Sequence, residues 1–378
     1  MRFLIAGGGT GGHLFPGIAL AEEMVSRDPR NEVLFVGTAR GIEVREVPKA
    51  GFPLELIDVS GLKGKGILAI LRGLFKLPRA LLGSLRILGR FRPKVVLGVG
   101  GYASGPVLLA ARLRGIPTAI QEQNAAAGLT NRILGRVVQL VFTAFPEAGA
   151  AFPARKVRQL GNPIRRKLLD NFLKPHARDQ PERFSLLVIG GSQGAHAINL
   201  ALPEAVARLP AELRSRLRVR HQTGLRDREA VAQRFQELGV EAEVVDFIAD
   251  MSAAYGWANL VVARAGASTL AELAVCRCAS VLIPFPAAAD DHQTKNASAL
   301  AQSGAAVVLR EAELTPDRLA QELSALARDP ERLALMEQAS ARLGRPEAAR
   351  EIGEVLTQLA AGTRNPGQPA SPTRPAED

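Results

Sequence analysis

The chain has 378 residues, which is long for a single hydrophobic core, so two domains are expected. Its formal net charge of +11, from 48 Lys and Arg against 37 Asp and Glu, favours an anionic partner such as an acidic lipid or a phosphate ester. Aromatic residues make up only 4% of the chain, which argues against single-stranded nucleic acid stacked on an aromatic platform. No nucleic-acid partner is expected.

The two cysteines and the first residues of the chain indicate which chemistry and which compartment to expect. Cys276 and Cys278 are separated by one residue, which is not the spacing of a CxxC redox or zinc motif, so packing in the core is expected for both. The chain begins with a strand-like segment rather than a charged region followed by a long apolar run, and this pattern predicts a protein that stays in the cytoplasm.

The first predicted unit is a strand over residues 2–6, a glycine loop over residues 7–13 and a helix over residues 16–25. Five of the seven loop residues are glycine, so backbone N–H groups can approach an anion closely, and a helix N-terminus favours negative charge. Pro16 suits the first turn of that helix. His13 ends the loop, where a helix N-terminus keeps imidazole neutral and able to act as a general base; a simple polar loop residue is the alternative.

The opening loop also has dinucleotide-binding spacing. Gly7, Gly9 and Gly12 satisfy GxGxxG, which makes an NADP-dependent oxidoreductase the alternative function. That function requires an acidic residue at the end of the second strand, which here ends Val36-Gly37-Thr38. Arg40 suits only an NADP variant, and the alternative assigns no role to His13.

The rest of the first half continues the pattern of strands and helices. Strands are predicted over residues 32–37, 54–58, 94–99, 116–121 and 140–143, with a second glycine loop over residues 100–106. Glu122, Gln123 and Asn124 follow one of these strands, at the edge where parallel sheets place ligand contacts, although ordinary loop polarity also explains them.

Residues 184–195 repeat the opening unit as a strand and a glycine loop that lead into a helix, and strands follow over residues 217–222, 243–247, 260–263, 280–284 and 306–309. Two such units, half the chain apart, predict an α/β fold of two Rossmann-like doubly wound domains facing across a cleft. The expected divisions are a first domain over residues 1–163, a second domain over 164–345, a helix over 346–361 that packs back towards the first domain, and a disordered tail over 362–378. Thr315 and Pro316 mark a capped helix start.

Residues 61–93 combine eight Lys and Arg with many Leu and Ile and no acidic residue. Charges interrupt the apolar run, so it does not cross a membrane. A membrane-surface patch that binds anionic headgroups is one explanation, and a pair of surface helices with a solvated basic face is the other.

Residues 263–272 form the second informative stretch, a predicted strand, a turn of small residues and a helix. Hydroxyl and N–H groups of this turn suit a phosphate, and Glu272 lies one turn into the helix. Thr269 and Glu272 also have the spacing of a capping box, which is a purely structural role. A carboxylate at this place suits the two hydroxyls of a ribose equally well.

Several motifs occur in a fixed order: GGTGGH at 8–13, GGYASGP at 100–106, EQN at 122–124, GNPIR at 161–165, GGSQGA at 190–195 and RAGA at 264–267. This series resembles that of the MurG family of peptidoglycan glycosyltransferases. The resemblance implies a glycosyltransferase B fold and inverting transfer of N-acetylglucosamine from UDP-N-acetylglucosamine to undecaprenyl-diphosphate-linked N-acetylmuramyl-pentapeptide. It also implies that the domain over residues 1–163 binds the lipid acceptor and that over 164–345 the nucleotide sugar. Peripheral attachment to the cytoplasmic face of the cell membrane through residues 61–93 is implied as well. No cofactor or metal is expected, since no Asp-x-Asp motif lies near this site.

The resemblance also implies roles for individual residues. His13 resembles the general base. The substrate-binding residues that it implies are Thr10, Gly11, Gly12 and Asn124 near the transferred sugar, Arg165 and Ser192 on the donor, Ile248 on the uracil side, Arg264, Ala267, Ser268 and Thr269 in the second turn, Glu272 on the ribose, and Gln293 and Asn296 on the sugar hydroxyls. Whether Gln293 or His292 contacts the donor sugar stays open at this point.

Overall fold

The computed structural model describes residues 1–59, 67–172, 182–191 and 193–362, with the backbone alone for residues 67–76 and 171. Three expectations therefore lie wholly or partly outside the described residues: the donor contact of Ser192, the tail beyond residue 362 and the first part of the basic segment 61–93.

The first half folds as alternating strands and helices. In chain order these are β1 (Arg2–Gly7), α1 (Gly11–Arg27), β2 (Glu32–Gly37), α2 (Glu43–Lys49), β3 (Leu54–Leu56), α3 (Ile67–Phe91), β4 (Val95–Gly100), α4 (Ser104–Leu113), β5 (Thr118–Glu122), α5 (Leu129–Val137), β6 (Leu140–Thr143), α6 (Pro146–Gly149) and β7 (Val157–Gln159). Among the described residues the strands form one seven-stranded parallel sheet in the order β3-β2-β1-β4-β5-β6-β7. The order reverses between β1 and β4, and ligand crevices of such sheets open at this switch point.

The second half repeats this design. Its elements are α7 (Arg166–Phe172), β8 (Phe184–Ile189), α8 (His196–Ala207), α9 (Ala211–Arg216), β9 (Leu217–Gln222), α10 (Arg228–Glu237), β10 (Glu241–Val245), α11 (Met251–Trp257), β11 (Leu260–Ala263), α12 (Ala267–Val275), β12 (Ser280–Leu282), α13 (His292–Gln302), β13 (Ala306–Val308), α14 (Pro316–Ala327), α15 (Pro330–Leu343) and α16 (Ala348–Ala360). Over the same described ranges the second sheet has six parallel strands in the order β10-β9-β8-β11-β12-β13. Its switch point lies between β8 and β11.

Burial explains why the central strands read as apolar runs. All six residues of β4 and of β8 are buried, because helices cover both faces of a parallel sheet. The last helix, α16, packs against α1 of the first domain, where Ile352 and Leu356 join the core. Arg27 Nη2 lies 2.8 Å from Glu354 Oε1 at the edge of this contact.

The prediction of two doubly wound domains is confirmed, and several local predictions are corrected. Helix α1 begins at Gly11, so Pro16 lies in its second turn instead of its first. The strand predicted over residues 54–58 ends at Leu56, and β7 was not predicted. Residues 67–91 form one helix that contains Pro78 instead of a pair of helices. Within the described residues, no helix is both long and apolar enough to cross a membrane.

Candidate active site between the two domains

His13 lies at the switch point of the first sheet. It is the third residue of α1, and its ring packs on Gly100 at the end of β4, where a Cβ would lie 3.0 Å from His13 Cδ2. The φ of +96° at Gly100 also favours glycine there. Loss of hydration lowers the pKa of His13 from its ordinary 6.5, while the charge of Glu122 and a hydrogen bond to the Gly8 backbone oppose that shift. The imidazole is therefore neutral at pH 7.

The glycine loop beside His13 is open on one side and filled on the other. A Cβ on Gly12 would meet no atom within 4 Å, so the space above the start of α1 is open. The exposed Thr10 is the N-cap of α1, and Gly11 is its half-buried first residue. On the other side, the Gly9 amide donates a 2.8 Å hydrogen bond to Oε2 of Glu43. A dinucleotide phosphate at that amide would meet this carboxylate.

Glu122 supplies a buried negative charge close to His13. It ends β5 with 1% of its surface exposed, and its carboxylate accepts hydrogen bonds from the Asn124 amide at 3.0 Å, the Gly128 amide at 3.0 Å and Asn131 Nδ2 at 2.9 Å. These donors hold the carboxylate in place. Its charge can therefore stabilise the imidazolium that forms when His13 takes a proton.

Asn124 and Asn296 meet each other across the domain boundary. Asn296 Nδ2 donates to Asn124 Oδ1 at 3.1 Å and to the Ala265 carbonyl at 3.2 Å, and Asn296 Oδ1 accepts from the Ala125 amide at 2.8 Å. Asn296 is fully buried. In this arrangement its amide joins the ends of β5 and β11, so a sugar contact by Asn296 requires these bonds to be exchanged.

The neighbouring pair His292 and Gln293 divides into two environments. Gln293 Oε1 accepts hydrogen bonds from the Ala265 amide at 3.2 Å and the Phe285 amide at 2.9 Å, which anchors the side chain between β11 and β12. His292 lies on the adjacent position of α13, near enough to His13 to influence it electrostatically, and its Nδ1 lies 2.6 Å from the Ala289 carbonyl oxygen.

Gln222 connects two predicted donor-binding segments that are distant in sequence. Its Nε2 donates to the Gly191 carbonyl at 2.7 Å, and its Oε1 accepts from the Ile248 amide at 3.0 Å. Gln222 and Ile248 are both buried. Gly194 in the same loop packs so tightly on the Thr223 carbonyl that no Cβ fits between them. The loop that precedes α8 is therefore held against the end of β9.

The turn before α12 consists of small residues, and Arg264, which precedes them, makes its contacts within the second domain. Arg264 Nη1 donates to the carbonyls of Ile283 at 3.1 Å and Pro284 at 3.2 Å, and its guanidinium pairs with Glu311 and lies over the Phe285 ring. Arg264 is thus held within its own domain.

The N-terminus of α12 differs from the predicted capping box. The helix begins at Ala267 with Gly266 as its N-cap, and Thr269 is half-buried in its first turn. Ser268 Oγ is buried without a hydrogen-bond partner among the described residues. The unpaired N–H groups of the first turn and this hydroxyl suit an anion such as a diphosphate.

Glu272 lies one turn further along α12, and its carboxyl accepts a hydrogen bond from Tyr255. Burial raises the pKa of Glu272 to about 7, while the Tyr255 hydroxyl and the charge of Arg165 oppose this shift. Arg165 also donates to Glu22 of α1 at 3.2 Å and so links the two domains beside the cleft.

Each of the two domains matches one domain of a known family. Residues 3–143 match the glycosyltransferase family 28 N-terminal domain, and residues 185–352 match the glycosyltransferase family 28 C-terminal domain. The chain belongs to glycosyltransferase family 28. Each match covers one of the two sheets, so the resemblance read from the short motifs is confirmed across both domains.

Relatives within family 28 match over nearly the full length. The chain is 58% identical, over 100% of both sequences, to the UDP-N-acetylglucosamine--N-acetylmuramyl-(pentapeptide) pyrophosphoryl-undecaprenol N-acetylglucosamine transferase of Anaeromyxobacter dehalogenans strain 2CP-1. It is 60% identical to the protein of the same name from Myxococcus xanthus strain DK1622, over 97% of this chain and 95% of that one. The crystal structure of Acinetobacter baumannii MurG superposes with a TM-score of 0.76 at 32% identity, covering 94% of this chain and 99% of that one.

Three residues of this site were not predicted from the sequence. Glu43 and Gln222 form hydrogen bonds with glycine loops more than 30 positions away, and Tyr255 donates a hydrogen bond to Glu272 from the preceding helix. Glu43 carried one usable signal, since it is an acidic residue shortly after the second strand, where a dinucleotide site was expected to need one.

Proposed function

We propose that this chain is an inverting hexosyltransferase that transfers N-acetylglucosamine from UDP-N-acetylglucosamine to N-acetylmuramyl-(pentapeptide) pyrophosphoryl-undecaprenol. The observation that carries the proposal is the placement of His13 at one switch point and of the anion-suited N-terminus of α12 at the other, on two helices, α1 and α12, that contact each other across the domain boundary. The names of the full-length relatives supply the substrates. The oxidoreductase alternative is not supported. The Gly9 amide already donates its hydrogen bond to Glu43, and the chain belongs to a transferase family.

The reaction follows from these positions. His13 takes the proton of the acceptor hydroxyl as its oxygen attacks the anomeric carbon, and the bond from that carbon to the UDP oxygen breaks on the opposite face. The proton ends on the imidazole, next to the charge of Glu122. The negative charge of UDP is stabilised by N–H groups at the N-termini of α8 and α12. Glu272 binds the ribose hydroxyls, and Arg165 and Ile248 complete the donor site.

Three adjoining helices of the first domain suit a membrane surface. Helix α5 exposes Leu129, Ile133 and Val137 at helical spacing, with Arg132 and Arg136 beside them. Helix α4 packs between α3 and α5 and exposes Leu109 and Leu113; α3, which lies within the basic segment 61–93, exposes Leu77 and Leu82. None of the three helices contains an acidic residue. We therefore extend the proposed attachment to the cytoplasmic face of the cell membrane from residues 61–93 to α4 and α5.

One assay tests the function. The protein is incubated with UDP-N-acetylglucosamine and the muramyl lipid precursor, and the lipid is examined by mass spectrometry for one added N-acetylhexosamine, with His13→Ala as the matched protein. We expect product with the wild type and a turnover about 10²–10⁴-fold lower with His13→Ala, which is the usual contribution of a general base. Donor binding should survive the substitution. Absence of product with the wild type contradicts the function, and full activity of His13→Ala contradicts the role of His13.

A further inference from the structure

A carboxylate lies buried beneath the opening glycine loop. Glu43 begins α2 with 1% of its surface exposed. It accepts hydrogen bonds from the Gly9 amide at 2.8 Å, the Thr38 amide at 2.9 Å and the Thr38 hydroxyl at 3.0 Å. Within the described part of the chain, no Lys, Arg or His nitrogen lies within 4.0 Å of it. The protein therefore surrounds this charge with N–H and O–H donors, as a glycine loop surrounds a phosphate.

Three glycines create the space that this carboxylate occupies. A Cβ built on Gly8, Gly37 or Gly41 would lie under 3.0 Å from Glu43 side-chain atoms, closer than real side chains approach. Gly37 and Gly41 do not have positive φ values, so room for Glu43 is the reason for glycine at these two positions. Two segments of the chain, the opening glycine loop and the end of β2 with the loop that leads to α2, thus enclose one carboxylate.

The same carboxylate is connected to His13 through the loop. Glu43 holds the Gly9 amide, and the amide of the preceding residue, Gly8, donates to the Gly100 carbonyl at 3.3 Å. Gly100 in turn packs against the His13 ring. A shift of Gly8 and Gly9 would therefore move the imidazole.

We propose that Glu43 is a positioning residue for His13: an internal carboxylate takes the place of a bound phosphate at the Gly9 amide and holds the loop in its reactive shape before any substrate arrives. This inference rests on the proposed role of His13 as the general base. A misplacement of about 1 Å at a reacting group costs on the order of 10²-fold in rate.

The test is a double-mutant cycle of Glu43→Gln and His13→Ala, with kcat measured at saturating substrates and UDP affinity measured by calorimetry. Glutamine keeps the shape of the side chain and turns an NH₂ group towards N–H donors. We expect Glu43→Gln to lower kcat by about 10- to 100-fold with UDP affinity unchanged, and to lower it no further in the His13→Ala background. Glu46→Gln, on the same helix, is the matched control and should keep the wild-type kcat.

Each other outcome is informative. Unchanged kcat in Glu43→Gln, or losses that add in the double variant, overturn the positioning role. Full activity of His13→Ala instead overturns the proposed function of His13. If Glu43→Gln fails to fold, Thr38→Val removes one hydrogen-bond donor to the carboxylate instead. Thr38→Val should lower kcat about fivefold in the wild type and should not lower it further in His13→Ala. A wild-type kcat in Thr38→Val overturns the inference.

Discussion

The Tyr255 hydroxyl donates a 2.9 Å hydrogen bond to Oε2 of Glu272. Tyr255 is buried on α11. Burial raises the pKa of Glu272 to about 7, against the hydrogen bond of Tyr255 and the charge of Arg165. The nearby Cys276 thiol has a pKa raised by burial and is uncharged at neutral pH. Glu272 therefore titrates in the physiological range before the donor binds.

Affinity for UDP-N-acetylglucosamine should depend on the protonation of Glu272. Only the carboxylate can accept hydrogen bonds from both ribose hydroxyls, so binding is strongest above pH 7 and weakens as the pH falls through 7, by up to about tenfold per unit. Calorimetry at pH values from about 5.5 to about 8.5, in steps of about half a unit, measures this affinity. The ligand in this experiment is UDP-N-acetylglucosamine instead of UDP, because the diphosphate of UDP-N-acetylglucosamine does not titrate in this pH range. Affinity in Glu272→Gln should be low and independent of pH.

Tyr255→Phe provides the control for that assignment. Removing the hydroxyl takes away a donor that favours the carboxylate, so the pKa of Glu272 rises and the midpoint of the affinity curve moves to higher pH. A change that only loosened the fold would lower affinity at every pH and leave the midpoint unchanged. An unmoved midpoint contradicts the proposed link between Tyr255 and Glu272.

The pH dependence of kcat should report His13. Burial lowers the pKa of His13 from 6.5, and a general base must be unprotonated. We therefore expect kcat at saturating donor to be constant at alkaline pH and to fall on the acid side, as His13 becomes protonated. Saturating donor separates this effect from the titration of Glu272. A kcat that does not fall towards low pH contradicts the assignment.

Gln222→Leu should weaken donor binding without changing the chemistry. The substitution leaves the Ile248 amide and the Gly191 carbonyl without their partner, and a lost buried hydrogen bond typically costs enough to lower affinity about tenfold. We expect a higher Kd for UDP and an unchanged kcat at saturation. Asn259→Leu is the matched control, because Asn259 Oδ1 accepts from the Ser185 amide at the opposite end of the same sheet. Equal losses in the two variants would mean general destabilisation.

Membrane attachment should depend on the exposed face of α5. Ile133 is 54% exposed there, and Leu200 on α8 of the other domain is 59% exposed. Ile133→Asp should lower sedimentation with phosphatidylglycerol vesicles about tenfold, because it adds a negative charge and removes apolar contact, whereas Leu200→Asp should not. Binding should also decrease at high salt. Equal binding by Ile133→Asp and wild type would contradict the role of α5.

Local sequence patterns were sufficient for the framework. Buried parallel strands are continuous apolar runs, and glycine loops before helices recur in both halves, so two doubly wound domains could be predicted from neighbouring residues. Thr315 caps α14 as predicted, accepting from the Arg318 amide at 3.1 Å. The family resemblance also depended on short contiguous motifs. These features share one cause, since each is decided by residues within a turn or a strand of each other.

The partners within the site were decided by tertiary structure alone. Asn124 meets Asn296 across 172 positions, and Gly9 meets Glu43 across 34. Glu272 lies at capping-box spacing from Thr269, yet it bonds to Tyr255, because α12 already begins at Ala267 and the packing of α11 places the hydroxyl within reach. Arg264 likewise pairs with Glu311, which follows β13, whereas Arg264 follows β11. Which polar groups meet depends on which strand ends share a sheet edge and on how closely the domains approach, and no local pattern contains that information.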